Sequence, residues 1–305
     1  LTILVTAIGT ASAKAVIQSL RQTVPGVRII GTDLNAIENV PNSRLVDRFI
    51  QVPSAVSERF AIRLFQICLD EDVDFLIPLT DPEVDALSGM EARFRLVGTV
   101  ITQSNPASIR ISRDKRLVHD TFAHDFLVNV IPTRNQDHIT PQSPFPLLAK
   151  KRRGRSSEGM IRYEDFEQWS TCCERTSDYI VQPFLDGEIF TVDVVRTKNG
   201  SFGALARHER VRNARGLGLE VTIQPDSELH AIAGYVSQEL NLTGAINIEF
   251  LVRNGISYLM DVNPRCSGGV HFSMEAGFDV IAEHLEVFGV MEAPIHQYWN
   301  TLKSA

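Results

Sequence analysis

The sequence predicts an α/β chain that turns α+β in its C-terminal part and opens with a doubly wound parallel domain. Short apolar β-type runs alternate with helical apolar periodicity early in the chain. Later, pairs of strands flank Asn-Gly turns instead. Its 305 residues, 44% hydrophobic and 22% charged, have ordinary globular composition, and the length allows two or three domains.

Residues 1–5 are an apolar run, residues 6–12 a turn, and Ala15, Val16, Ile17 and Leu20 recur at helical spacing. A second strand over 27–31 ends at Asp33. A helix over 58–70, a strand over 75–78, a helix over 83–90 and a strand over 97–101 complete the alternation of a doubly wound domain over 1–104. The middle segment, 105–181, opens with a helix over 113–124. Pro132, Pro141, Pro144 and Pro146 punctuate the loop that follows. A short strand over 147–149 runs into a basic Gly/Ser loop, and a helix over 163–175 precedes a strand over 179–184. The last segment, 182–305, is β-rich. Strands over 190–196 and 202–207 flank Asn199-Gly200, a helix covers 227–240, strands over 245–252 and 256–262 flank Asn254-Gly255, and a final helix begins near Val280.

Charge narrows the function classes. The net charge of -7, from 37 acidic and 30 basic residues, argues against a broad basic face for nucleic acid. Basic residues cluster over 150–155 and 207–215, which suits a small anionic ligand. Cys68, Cys172, Cys173 and Cys266 fit neither a zinc pattern nor a disulfide framework, so a reducing cytoplasm is expected. No signal-like segment or membrane-length apolar run is visible, so no membrane partner is expected.

Three stretches carry chemistry. In Tyr258-Leu-Met-Asp-Val-Asn-Pro-Arg265, Asp261, Asn263 and Arg265 fall at alternate positions and so share a face. The neighbouring strand does the same with Asn247 and Glu249, and a hairpin brings Glu249 opposite Asp261. Two facing carboxylates repel unless a cation lies between them; with an amide oxygen they suit Mg²⁺ bound with phosphate. The competing reading is a pair of solvated strand ends. Residues 150–160 combine Lys150, Gly and Ser as a phosphate-covering loop does, although charge runs are often merely solvated. Residues 180–188 offer the Pro183 carbonyl and the Leu185 N–H along one extended edge, as adenine requires, or are an ordinary strand ending in an Asp-Gly turn. Residues 6–12 with Asp33 faintly resemble a dinucleotide turn without its glycines. His208 reads as a base or a polar strand residue, and Cys266 lacks an evident His partner.

Together these stretches resemble the ATP-grasp family, most closely the branch similar to the large chain of carbamoyl phosphate synthase. The resemblance covers nearly the whole chain. It is carried by Asp114-Lys115, Lys150, the loop residues Gly154, Ser157 and Gly159, the hinge Gln182, Pro183 and Leu185, the set Glu249, Asp261 and Asn263, and above all Asn263-Pro264-Arg265. Gly268-Gly269, Glu275-Ala-Gly277 and Leu79-Thr-Asp-Pro-Glu83 also look like the family, the last within a pre-ATP-grasp domain. The resemblance implies an ATP-grasp fold behind that domain. It implies ATP phosphates at Lys115 and Lys150, Mg²⁺ (with Mn²⁺ as substitute) at Glu249, Asp261 and Asn263, and the transferred phosphate at Arg265. The implied activity is ATP-dependent ligation, in which a carboxylate becomes an acyl phosphate and a nucleophile displaces phosphate. The expected partners are those small molecules, with a homodimer left open.

Departures accompany it. Lys151 replaces a usual Pro, Arg155 a small residue and Pro183 an acid. Ile189 stands at the usual ribose-binding Glu; the acid is Glu188, one residue early, and although that shift reverses its face the resemblance keeps it as the expected cofactor-binding acid. Arg210, with Arg212 in reserve on the same face, is expected to fix the substrate carboxylate. Alternatives are a carbamoyl-phosphate-forming half enzyme, a non-catalytic nucleotide-binding protein, and a nicotinamide-dependent oxidoreductase using the N-terminal turn.

Overall fold

A computed structural model describes residues 1–154, 158–173, 178–214, 216–224, 228–290 and 299–300. The first hundred or so residues form a doubly wound unit. Its elements are β1 (Thr2–Val5), α1 (Ala13–Thr23), β2 (Arg28–Asp33), β3 (Arg48–Gln51), α2 (Arg59–Asp70), β4 (Phe75–Ile77), α3 (Asp81–Leu87), α4 (Glu91–Arg95) and β5 (Val100–Ile101). The sheet is parallel, in the order β3-β2-β1-β4-β5. Strand order reverses between β1 and β4, and the crevice beyond the strand ends at such a point is where open α/β sheets take ligands. The alternation predicts all but the short helix α4 and β3, an edge strand whose arginine and glutamine stay exposed.

In the next segment the helix expected over 113–124 occurs, beginning at Lys115, and another precedes it. Two helices occur, α5 (Pro106–Ser112) and α6 (Lys115–Phe122), because Asp114 caps the second, accepting the Arg116 and Leu117 N–H groups. A short strand, β6 (Asn129–Val130), follows. Then β7 (Leu147–Lys151), β8 (Ile161–Tyr163), α7 (Phe166–Cys172) and β9 (Tyr179–Pro183) build a small antiparallel sheet, β8-β7-β9. It has its own core of Ile139, Leu147, Ala149, Tyr163, Trp169 and Val181. The helix expected from residue 163 starts later, where Asp165 caps it.

The remaining elements are β10 (Glu188–Arg196), β11 (Phe202–Arg212), β12 (Gly218–Gln224), α8 (Glu228–Glu239), β13 (Gly244–Arg253), β14 (Ile256–Asn263), α9 (Val270–Glu275) and α10 (Val280–Val287). Among the described residues the large sheet runs β12-β11-β10-β13-β14-β6, with residues 299–300 pairing on β11. One face, with Val192, Val194, Ala204, Ile246 and Phe250, packs on α8 and also on Val118 and Phe122 of α6. The other carries Val195, Leu205 and Ala245 into one continuous core with Ile3, Val5 and Ile17 of the N-terminal unit and Ile281 and Leu285 of α10. The expected boundaries shift accordingly. The division at 181/182 falls inside β9, and β6 pairs with β14 rather than with the small sheet. Among the described residues no helix is long and apolar enough to cross a membrane.

Candidate active site

A cavity of about 930 Å³ separates the small sheet from the polar half of the large sheet. Its far end meets Thr10, Ser12, Leu79 and Thr80, at the strand-order reversal of the N-terminal unit.

The β13–β14 pairing builds one wall. Glu249 lies opposite Asp261 and Asn247 opposite Asn263, as the alternation of both strands predicts. A bulge after Glu249 brings Met260 onto the cavity wall beside Asp261. Each carboxylate meets a cation: Arg212 Nη2 is 3.0 Å from Glu249, and Lys115 Nζ is 3.1 Å from Asp261. Lys150, at the end of β7, is buried in the same cavity. Burial, then the neighbouring Lys115, lowers its ammonium to about 8, although Asp261 and Glu249 pull the other way.

Arg265 sits on the turn after β14, where its N–H bonds the Asn263 carbonyl. Its guanidinium grips Asp81 of the N-terminal unit through Nε and Nη2, both at 2.8 Å. Arg113 stands 3.5 Å from the same carboxylate. Burial by itself would raise the Asp81 carboxyl, but Arg265 and then Arg113 outweigh it and hold it at about 2. Asp81 owes its place to local sequence: Thr80 and Glu83 form a capping box around the first turn of α3. Glu83 is anchored further by the Thr6 hydroxyl at 2.7 Å.

The opposite end is apolar, with Ile131, Leu148, Met160 and Leu251 facing the end of β9. Gln182, Pro183 and Leu185 lie on this wall. The Gln182 side chain donates to the Thr133 hydroxyl at 2.8 Å, which fixes the end of the strand.

Family models match two stretches of the chain. Residues 3–102 match the PylC-like N-terminal domain, and residues 175–300 match a domain described as ATP-grasp in the biosynthetic pathway with Ter operon. The chain has an ATP-grasp domain behind a PylC-like N-terminal domain. Solved structures agree on the fold. The biotin carboxylase domain of Hydrogenobacter thermophilus 2-oxoglutarate carboxylase, a dimer in complex with MgADP, ADP and bicarbonate, is 14% identical, with TM-score 0.76 over 97% of this chain and 71% of that one. The L-amino acid ligase of Bacillus licheniformis is 12% identical, with TM-score 0.73 over 94% of this chain and 74% of its own. Rhizobium etli pyruvate carboxylase is 16% identical, with TM-score 0.73 over 94% of this chain, which spans only 28% of that protein's length. No curated protein matches the chain in sequence.

Within this ATP-grasp fold the cavity gathers Lys115, Lys150, Gly154, Gln182, Pro183, Leu185, Glu249, Asp261, Asn263 and Arg265. Ser157 lies outside the described residues. Gly159 is off the cavity wall. Its φ of +71° bends the loop where a Cβ would come within 2.7 Å of the Tyr179 hydroxyl. Two expectations need correcting. The side chain of Glu188 is 60% exposed and 3.5 Å from His208, on the face away from Leu251 and Glu249, because its partner across the sheet is Val252. Arg210 is exposed and donates to the Thr222 hydroxyl. A bulge where β11 pairs with β12 inserts Arg210 as the extra residue, so Arg212, not Arg210, reaches the cavity. Arg207 is fully buried, held by Asp193 at 2.5 Å and Glu209 at 3.1 Å.

Asp81, Arg113 and Asp193 have no role in the sequence pattern by itself. The capping-box spacing of Thr80 and Glu83 was the available signal for the first; the others become visible only through tertiary contact. Asp33, the acid of the dinucleotide reading, accepts the Gly9 N–H at 2.8 Å and both the backbone and side-chain N–H of Asn35. Burial pushes the Cys266 thiol up to about 12, so it stays protonated at neutral pH. Among the described residues no group of three or more His, Cys, Asp or Glu could hold a metal. Two carboxylates and an amide oxygen instead fit a hard cation that shares its ligands with phosphate.

Proposed function

We propose that the chain is an ATP-dependent ligase that activates a carboxylate as an acyl phosphate for attack by an amine or other nucleophile. The observation that supports this reading is the single cavity in which Lys115, Lys150 and Arg265 converge with Glu249, Asp261 and Asn263. ATP lies with its adenine against the Gln182–Leu185 edge and its phosphates at Lys115 and Lys150. Glu249, Asp261 and Asn263 would hold Mg²⁺, which would neutralise phosphate charge. A carboxylate oxygen attacks the γ-phosphorus and ADP leaves. The nucleophile then adds to the acyl carbon and phosphate departs. The protein contributes position and preorganised charge, with Arg265 at the transferred phosphoryl group and no covalent enzyme intermediate. Arg212, now paired with Glu249, is the cation available to the substrate carboxylate.

The test is release of ADP and phosphate from MgATP across a panel of carboxylates and amines, with hydroxylamine to trap acyl phosphate. Amino acids and bicarbonate come first, since one structural neighbour is an L-amino acid ligase and another holds bicarbonate. MgATP binding without ADP release across the panel would favour a non-catalytic nucleotide-binding protein.

A further inference from the structure

We propose that Asp81 is a positioning residue: it fixes the guanidinium of Arg265 so that the end-on fork faces the cavity and receives a two-oxygen anion, a carboxylate or a phosphoryl group. This rests on the ligase reading above. It assigns to the N-terminal domain a part in the chemistry of a residue that belongs to the C-terminal part.

A guanidinium carries its N–H donors in a rigid planar arrangement. In Arg265 the side fork, Nε and Nη2, is spent on the two oxygens of Asp81. A further donor on Nη1 is spent on the Cys266 carbonyl at 3.0 Å. What remains is one N–H on each terminal nitrogen. Both terminal nitrogens stand at the end of the group, and Arg265 is on the cavity wall. The arrangement matches a carboxylate or phosphate edge.

The arm that holds the fork is itself fixed. Asp81 is 2% exposed and is the first residue of α3. Arg113 braces it from the hinge between α5 and α6 while also pairing with Asp85. The contact therefore joins residues from the N-terminal unit, the middle segment and the end of the large sheet at one point.

Electrostatics and positioning predict opposite signs, which makes the idea testable. A carboxylate beside an anion site repels the anion, so charge alone predicts that Asp81→Asn tightens anion binding. Positioning predicts the reverse. Inorganic phosphate is titrated calorimetrically into protein saturated with MgADP. Asp81→Asn is expected to bind phosphate roughly tenfold or more weakly, the scale of a charge-assisted contact, with MgADP affinity unchanged. Arg265→Lys is expected to match it. Equal or tighter phosphate binding in Asp81→Asn overturns the proposal. Should that variant fail to fold, the wild-type protein still decides. The ¹⁵N signal of the Arg265 Nε–H, assigned by its loss in Arg265→Lys, is expected to be protected from solvent exchange. A signal exchanging like that of a free arginine overturns the proposal as well. If the wild type binds no MgADP, the ligase reading fails separately, and the Arg265 signal alone decides on the pair.

Discussion

Glu249 faces Asp261 across the β13–β14 hairpin, yet each carboxylate closes on a cation, Arg212 and Lys115 respectively, rather than standing bare against the other. The same cations are those proposed to turn to the substrates. Asp261→Asn removes one charge from this set without changing shape. It is expected to weaken Mg²⁺-dependent binding of an ATP analogue by more than ~1.5 kcal/mol while circular dichroism stays that of the wild type. Calorimetry with and without Mg²⁺ checks this, and undiminished Mg²⁺ dependence counts against the metal assignment.

Lys150 provides a proton signature. With its ammonium lowered to about 8, it is partly neutral in the ligand-free protein at that pH. A polyphosphate beside it favours the charged form and raises the value again. Binding at pH 8 is therefore expected to take up as much as roughly half a proton, and less at pH 6.5, where Lys150 is already charged. Titrations in buffers of different ionisation enthalpy measure the uptake. It should vanish in Lys150→Met.

Arg210 and Arg212 part company at the bulge. Arg210→Ala is expected to leave stability within about 0.5 kcal/mol and substrate KM unchanged. Arg212→Ala is expected to raise the KM for the carboxylate roughly tenfold or more, once that substrate is in hand. Equal effects of the two substitutions would contradict the register described above.

This pair also shows where the sequence stops being legible. Strict alternation put Arg210 and Arg212 on one face, but a single inserted residue in a strand pair is a property of the pairing and leaves no mark in one strand alone. Glu249 and Asp261 were legible because both strands alternate and an Asn-Gly turn sets their register. The helix over 115–122 is legible in its periodicity, whereas α5 just before it is only seven residues long, too short to show a period of its own, and ends where Asp114 caps its successor. Edge strands β3 and β12 escaped because half-exposed strands mix polar and apolar residues without a clean period.

Arg207 offers a stability test apart from any substrate. Its guanidinium is about 1% exposed and bonds Asp193, Glu209, Ser267 and Ser273. Arg207→Met leaves two buried carboxylates, Asp193 and Glu209, without their cation, at an expected cost of about 3–5 kcal/mol in urea denaturation. Arg207→Met combined with Asp193→Leu should recover part of that loss. A single substitution costing under about 1 kcal/mol would mean that water reaches the group.

His284 sets a limit at acid pH. Burial lowers its imidazolium to about 4, and its Nδ1 accepts the Ala245 N–H at 2.9 Å, which requires the neutral ring. The unfolded chain binds that proton near pH 6.5, well before the folded one does. Stability is therefore full above the unfolded value and declines as pH falls from about 6.5 to 4, by roughly 3 kcal/mol. Denaturation midpoints at pH 7 and 4.5 measure it, and His284→Gln should flatten the slope.

The core that runs from Ile3, Val5 and Ile17 to Val195, Leu205 and Ile281 has a consequence for descent and for engineering. The two matched stretches meet nowhere in sequence, yet their side chains interdigitate, so the first hundred or so residues are not a cassette that can be exchanged between relatives. A chimera joined after residue 102 would bring together two surfaces that had never packed on each other. Substitutions on α1 and on α10 must then be inherited as compatible pairs. The small sheet around Trp169 and Tyr163 fills its own interior and is free of that constraint. Variation within that sheet can accumulate without re-fitting the rest of the molecule.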